Sequence, residues 1–405
     1  MTESIIRENP ISYKKTIVIN GEFIVSLLFG FFLFLSFFET YLQGIFGVFT
    51  RYYLFIFLVV IVICIPRLRL RWYHLVYLAW FAYKIISALW TPNLYIARLH
   101  LVSHAGMTLL LILTTSVNFK KRTSDLFVQI LWLSSFLTGI LFVFLKRPYL
   151  GVHINRQVIY LFGMEMDPNN LAAFLVIGII ISIYYIIKRR LRLLSILVII
   201  VNTYSTFLTG SRGGLVALVL STIILILFTA KSKVIRPVNI ILLMALLVIA
   251  FIYLRRFIPE SIYNRLFNFD SYEGGSGRVD IWINALSLFG ENSLFWGAGW
   301  GAYFGYQGFE VVVHNTFISM LVDVGIFGFV LFFGPIVVAS FILIKHKNVL
   351  PVVLLLNSFV LCLFLDAINK RFFWIPIIML FIDYNLLSSS NELEELTHKG
   401  ELVYE

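Results

Sequence analysis

Residues 316–344, TFISMLVDVGIFGFVLFFGPIVVASFILI, carry a single charged side chain, Asp323. A run of this length exceeds the roughly 20 apolar residues needed to cross about 30 Å of hydrocarbon, so it reads as a transmembrane helix. Working outward, comparable runs begin near Phe23, Tyr52, Trp72, Leu99, Asp125, Pro168, Arg192, Gly213, Pro237, Val349 and Phe372. The whole chain of 405 residues is 60% hydrophobic and 13% charged, too little polar surface to cover a soluble globule. The expected fold is an all-α integral membrane protein of about twelve transmembrane helices.

Basic residues set the orientation. They crowd into alternate loops: Arg67, Arg69 and Arg71; Lys120 to Arg122; Lys188, Arg189, Arg190 and Arg192; Lys231, Lys233 and Arg236; Lys345 and Lys347. By the positive-inside rule these loops and both termini are cytoplasmic. Residues 1–22 are then a cytoplasmic N-terminus, 23–254 the first nine spans, and 255–313 one large extracytoplasmic loop. Residues 314–388 hold spans ten to twelve, and 389–405 form an acidic cytoplasmic tail. The first apolar stretch, Phe23 to about Val48, lacks a small-residue cleavage pattern and reads as a retained span. The same topology accounts for the net charge of +11, and no aromatic-basic module points to nucleic acid. Cys64 and Cys362 both fall in apolar runs, where they serve as small hydrophobes.

The functional signals gather on the face opposite the basic loops. The 255–313 loop holds Arg255, Arg256, Arg265 and Arg278, together with Trp282, Trp296 and Trp300. In RVDIWINALSLFG, residues 278–290, Val279, Trp282, Ile283, Leu286 and Phe289 recur at helical spacing. That pattern predicts an amphipathic surface helix, with a direct binding role for Trp282 and simple packing as the two readings of its apolar face. Glu273 to Gly277 precedes it as a hinge. Trp296-Gly-Ala-Gly-Trp300-Gly alternates aromatic plates with small residues, a composition suited to stacking on sugar rings. Arg255, Arg256 and Arg265 read as interface anchors.

His314 closes the loop, directly before Asn315 and the apolar run. At the wet edge of a cavity an imidazole can act as a general base; the alternative is an interfacial histidine bonded to its loop. Asp323 lies nine residues further on, where a carboxylate within the membrane needs a partner or a function. Lys84 and Glu39 are the candidate partners. In Thr209-Gly-Ser-Arg-Gly-Gly214, Ser211 caps the following helix and Arg212 stands at its positive end, an arrangement that fits a phosphate. A turn of glycines with one interfacial arginine is the plainer reading. Asp167-Pro168 has the form of an N-cap followed by proline at the first helical position, a structural signal. Arg147, His153 and Arg156 add donors on the same face. No P-loop and no metal-ligand spacing occurs, so neither cofactor nor metal is expected.

In order along the chain, the motifs are Trp90-Thr91-Pro92, Asp167-Pro168-Asn169-Asn170-Leu171-Ala172, Ser211-Arg212-Gly213-Gly214 and Gly277-Arg278 with Trp282. Gly297-Ala298-Gly299, His314-Asn315 and Asp323-Val-Gly325 complete the series. Together they resemble the bacterial O-antigen ligase and polymerase superfamily, which includes Wzy-type polysaccharide polymerases and WaaL-type ligases. The resemblance spans residues 90 to 330. It implies a GT-C-like fold and an inverting, metal-independent glycosyltransferase of the bacterial cytoplasmic (inner) membrane. Such an enzyme moves a glycan from an undecaprenyl-diphosphate-linked oligosaccharide donor to a glycan acceptor, polymerising repeat units of capsule, O-antigen or exopolysaccharide. By that resemblance Arg212 and Arg278 bind the diphosphate and His314 is the catalytic base or the residue that orients the acceptor hydroxyl. The family also places an arginine before the Asp-Pro-Asn segment; here Tyr160 stands just ahead of Gly163, and the nearest arginine is Arg156. The lipid bilayer, a chain-length regulator and a flippase are the implied partners. The open alternatives are a ligase acting on a lipid or protein acceptor and, in another class, a flippase or transporter; the latter predicts charges at span midplanes and internal repeats, which the sequence does not display.

Overall fold

The computed structural model describes residues 21–47, 49–65, 68–150, 156–229, 255–267, 277–304, 306 and 311–398. The N-terminus, His153, the span expected from Pro237, and the hinge up to Ser276 lie outside the described residues. In chain order the first helices are α1 (Gly21–Ser36), α2 (Glu39–Phe46), α3 (Phe49–Cys64), α4 (Trp72–Ser87), α5 (Leu94–Thr115) and α6 (Lys121–Leu145). Three short strands follow, β1 (Lys146–Pro148), β2 (Gln157–Leu161) and β3 (Met164–Glu165). Then come α7 (Pro168–Ile187), α8 (Arg192–Leu208), α9 (Arg212–Thr229), α10 (Glu260–Phe267), α11 (Arg278–Glu291), α12 (Thr316–Lys345), α13 (Leu350–Cys362) and α14 (Arg371–His398).

Six of these helices have the length and apolarity of a membrane span, or seven if the bent pair α1–α2 counts as one, which makes this a multi-pass membrane protein. The described residues are nearly all-α, as expected, with one small sheet added. The strands form an antiparallel sheet in the order β1-β2-β3, with Arg147 paired to Val158 and Tyr160 to Glu165. Strands of two to five residues are too short to show an alternating pattern in sequence.

Two expected continuous spans are broken. The first bends by 91° between α1 and α2. Glu39 stands at the bend, where its carboxylate takes a two-pronged grip from Arg371 at 2.8 and 3.1 Å; unpaired inside a lipid-facing helix it would be costly. The second, α12, breaks at Gly325, with φ 64° and ψ −173°. The break strands backbone groups on both sides, and the segment 294–299 satisfies them. Ala298 and Gly299 donate to the carbonyls of Val322 and Asp323 at 2.7 and 3.1 Å, while Ile326 and Phe327 donate to Leu294 and Phe295 at 2.9 and 3.1 Å. Only glycine fits at 325, because a Cβ there would collide with the Phe295 carbonyl.

Helix α7 is the hub. Its residues Leu171–Ile181 are all buried, and it packs against α6, α8, α9 and α13. Asp167 caps it by accepting from the Asn169 and Asn170 amides at 2.9 and 3.2 Å, and Pro168 follows, as the sequence signals. Gly139 and Gly178 let α6, α7 and α8 close around Asn202, whose amide donates to Ser135 at 2.9 Å. This hub fixes the ends of α7, α8 and α9, from which the candidate site is built.

Candidate functional site

At the end of α8 the chain turns through Thr209 and Gly210, with Gly210 at φ 63°. The turn is gripped from below. Arg156, 4% exposed, donates from Nε to the Thr209 carbonyl at 2.8 Å and from Nη2 to Asn169 Oδ1 at 2.8 Å. The same Asn169 oxygen accepts from Ser211 Oγ at 2.9 Å, and Ser211 caps α9 by accepting from the Gly214 amide at 3.2 Å. Arg156, the α7 start and the Ser211-Arg212 turn are therefore one hydrogen-bonded unit.

Helix α10 adds a residue that sequence reading assigned to interface anchoring. Arg265 donates from Nε to the Gly210 carbonyl at 3.3 Å, and a Cβ on Gly210 would lie 3.2 Å from Arg265 Cδ and 3.4 Å from Arg156 Cγ. Arg212, exposed, donates from both Nε and Nη2 to the main-chain carbonyl of Arg265, the former at 2.8 Å. The role expected of Arg212 is thus shared: its guanidinium holds α10 in place as well as adding charge. Arg255 does behave as an anchor, its guanidinium 4.2 Å from the Tyr263 ring centroid.

Arg278 opens α11 within electrostatic reach of Asp167, Arg265 and Arg156. Burial pushes the Arg156 guanidinium down to about 10; Asp167 opposes that shift, while Arg265 and Arg278 add to it. Arg278 is lowered too, first by burial, with Asp167 opposing and Arg265 adding. Both remain charged at neutral pH. Among the described residues neither Arg156 nor Arg278 forms an ion pair within 4.0 Å. A multivalent anion would relieve the mutual repulsion of such a cluster.

His314 completes the site. It is half-buried with φ 53°, the left-handed region that a non-glycine residue occupies only under constraint. Two contacts supply the constraint. Trp282 donates from Nε1 to the Val313 carbonyl at 3.1 Å, and Asn315 caps α12 through Oδ1 with the Phe317 and Ile318 amides at 3.0 and 3.1 Å. Trp282 and Asn315 hold the backbone on either side of His314. Burial lowers the His314 pKa first and the Arg278 charge lowers it further, with Asp366 and Asp167 opposing. The imidazole is therefore neutral, and able to accept a proton, at pH 7.

Asp366, in the α13–α14 loop, went unnoticed in sequence. Thr316 brings it to His314: its hydroxyl donates to the Leu365 carbonyl at 2.7 Å and accepts from the Ala367 amide at 2.9 Å. Ser319 Oγ lies 3.4 Å from Asp366 Oδ2. The only hint in the sequence is a carboxylate in a short loop between two apolar runs.

Arg147, Asp323 and Trp300 have partners of their own. Arg147 is exposed on β1 with its guanidinium 5.4 Å from the Tyr160 ring centroid. Asp323, 8% exposed at the α12 break, accepts from the Gly301 amide at 3.0 Å. Of its two candidate partners, Lys84 is its electrostatic neighbour and Glu39 is not, being paired with Arg371. Trp300 is 3% exposed and stacks on His104 at 5.1 Å, so it presents no open plate. The amphipathic helix α11 forms as expected but is rotated: Ala285 and Leu288 are buried, while Val279, Ile283 and Leu286 make an exposed apolar stripe.

These features describe a multi-pass membrane protein with a cluster of arginines beside a neutral histidine. Residues 197–333 match the family model described as O-antigen ligase, which supports the O-antigen ligase and polymerase superfamily for this chain. The matched stretch takes in Arg212, Arg265, Arg278 and His314; Arg156 and Asp167 precede it and Asp366 follows it. No curated protein matches the chain.

Proposed function

We propose that the protein is a glycosyltransferase that polymerises undecaprenyl-diphosphate-linked repeat units on the outer face of the bacterial cytoplasmic membrane, with inversion and without metal. The observation that carries this reading is the gathering of Arg156, Arg212 and Arg265 around the Thr209-Gly210 turn, with Arg278 within electrostatic reach of Arg156, Arg265 and His314.

In the proposed step the acceptor hydroxyl oxygen attacks the anomeric carbon of the donor. The anomeric C–O bond to the diphosphate breaks, and its electron pair stays on the diphosphate oxygen. His314 takes the hydroxyl proton as the new bond forms. Charge on the leaving group grows along this path, so fixed guanidinium groups stabilise the transition state more than the ground state. Several arginines in place of a divalent ion are compatible with metal-independent transfer. The exposed stripe of Val279, Ile283 and Leu286 suits α11 to the membrane surface, where a lipid-linked donor is held. A GT-C-like arrangement of about twelve spans and two cytoplasmic termini belong to the same proposal, resting on the charge of the loops and on the family resemblance.

A ligase uses the same donor chemistry and differs in its acceptor. Polysaccharide gels of a deletion strain separate the two. Single repeat units accumulating on the acceptor lipid support the polymerase; unlinked polymer on the carrier lipid supports the ligase. Unchanged polysaccharide would remove both.

A further inference from the structure

The small antiparallel sheet has two unlike faces. Opposed residues of an antiparallel pair put their side chains on one face, and successive residues of a strand alternate between faces. With Lys146 opposite Ile159 and Tyr160 opposite Glu165, one face consists of Lys146, Pro148, Gln157, Ile159 and Leu161. That face is turned inward: Ile159 and Leu161 join the main core, and Lys146 donates to the Tyr204 hydroxyl at 3.0 Å. The other face carries Arg147, Val158, Tyr160 and Glu165.

Two more residues extend this second face into the arginine cluster. The Tyr149 amide donates to the Arg156 carbonyl at 2.8 Å, which continues the β1–β2 ladder by one residue pair. Tyr149 and Arg156 therefore stand side by side, and the Tyr149 hydroxyl is within electrostatic reach of Asp167, Glu165 and Arg156. The face is open. Arg147 is exposed and Tyr149, Tyr160 and Glu165 are half-buried, so that only Val158 and Arg156 are covered. Among the described residues no hydrogen bond, ring or cation–π contact engages the Tyr149 side chain. Glu165 accepts from the Leu150 amide through Oε2 at 3.3 Å, which leaves Oε1 for a ligand. Arg147 lies over the Tyr160 ring and closes the far end.

The composition selects the occupant. A hydroxylated ring needs an apolar plate for its C–H face, an acceptor for its hydroxyl hydrogens and a donor for its oxygens, and tyrosine, glutamate and arginine supply these together. A lipid tail would gain nothing from the charges. A second anion would meet Glu165 and Asp167, so the diphosphate stays with the arginines and an uncharged sugar fits beside it.

We propose that Tyr149, Tyr160 and Glu165, on the sheet face continuous with Arg156, form the subsite for the donor sugar linked to the diphosphate. This deepens the glycosyltransferase reading and rests on it. Tyr149 is the plate nearest the diphosphate, and Glu165 accepts a sugar hydroxyl.

The test is binding to the full-length protein in detergent with two probes: undecaprenyl diphosphate, and the lipid-linked repeat unit extracted from the source strain, which adds only the sugars. For the wild type the repeat unit is expected to bind roughly tenfold tighter. Tyr149→Ala is expected to abolish that advantage while undecaprenyl diphosphate binding stays within about twofold, which also reports a folded protein. Tyr149→Phe keeps the plate and is expected to restore most of the advantage. Glu165→Gln keeps the bond from Leu150 and is expected to narrow the advantage severalfold. A repeat unit that binds no tighter than undecaprenyl diphosphate, or that keeps its full advantage in Tyr149→Ala, would overturn the subsite and leave the diphosphate site standing. Loss of both probes together in Tyr149→Ala, with an unchanged advantage in Glu165→Gln, would make the face structural and overturn it as well. Wild-type protein that binds neither probe would remove the glycosyltransferase reading along with the subsite.

Discussion

Replacing Arg265 with alanine isolates its guanidinium from its backbone role. Arg212 grips the Arg265 main-chain carbonyl, which the alanine variant keeps, so α10 stays docked on the Ser211-Arg212 turn. What is lost is one guanidinium beside Arg156 and Arg278, and the Nε bond to the Gly210 carbonyl at 3.3 Å, a long and weak one. A hydrogen bond to a charged group contributes about 1.5–3 kcal/mol. If Arg265 contacts the diphosphate as the transition state forms, that range corresponds to a roughly 10- to 150-fold fall in kcat/KM. The assay is polymer formation from lipid-linked repeat units by membranes holding equal amounts of each variant. Arg255→Ala is the control: Arg255 rests on Tyr263, and its loss is expected to change the rate less than about twofold, since an exposed cation–π contact contributes about 0.5–1 kcal/mol to stability and nothing to the site. Wild-type rate in Arg265→Ala would refute the four-arginine cradle and return Arg265 to the interface.

The remaining perturbations probe the rest of the site. Arg212→Lys loses the paired grip on the Arg265 carbonyl, because an ammonium cannot donate from two fixed nitrogens, and its rate in the same assay is expected to fall at least tenfold; full activity would make Arg212 merely interfacial. The His314 pKa is held below its ordinary value by burial and then by Arg278, so the base form persists as pH falls from neutral and is lost only as pH passes the depressed value. The residual activity of Arg278→Gln should therefore show its acidic limb at higher pH than wild type, and a limb that does not move would separate the two residues. Gly325→Ala forces a side chain into positive φ and against the Phe295 carbonyl, and should lower the melting temperature of the purified protein; an unchanged melting curve would contradict the pairing of 294–299 with the α12 break.

What was legible in the sequence depended on the range of the signal. Apolar runs and helix caps act over a few residues, so the helices and the Asp167-Pro168 start of α7 were readable locally. The Ser211-Arg212 turn, Arg278 and His314 stood out because polar residues are conspicuous between apolar runs. Arg265 did not: a basic residue on a short amphipathic helix looks the same as its neighbours Arg255 and Arg256 until tertiary hydrogen bonds to Gly210 and Arg212 distinguish it. Arg147 lies exposed on β1 beside Tyr160, a placement that no sequence signal gave. The break at Gly325 was hidden because glycine is common in membrane helices, and only the 294–299 segment paired against it shows the unwinding. Asp366 and Lys84 meet through chain folding alone, with no spacing in sequence to announce it.

In the proposed reaction one site holds a lipid-linked diphosphate through arginines and moves a glycan with His314 as base. Purified full-length protein mixed with lipid-linked repeat units, followed at once by gel for polymer and by mass spectrometry for released undecaprenyl diphosphate, tests it most directly. The expected result is polymer and undecaprenyl diphosphate in step for the wild type, and neither for His314→Ala, which still binds undecaprenyl diphosphate with wild-type affinity. Polymer formed by His314→Ala at the wild-type rate, or none formed by the wild type, would contradict it.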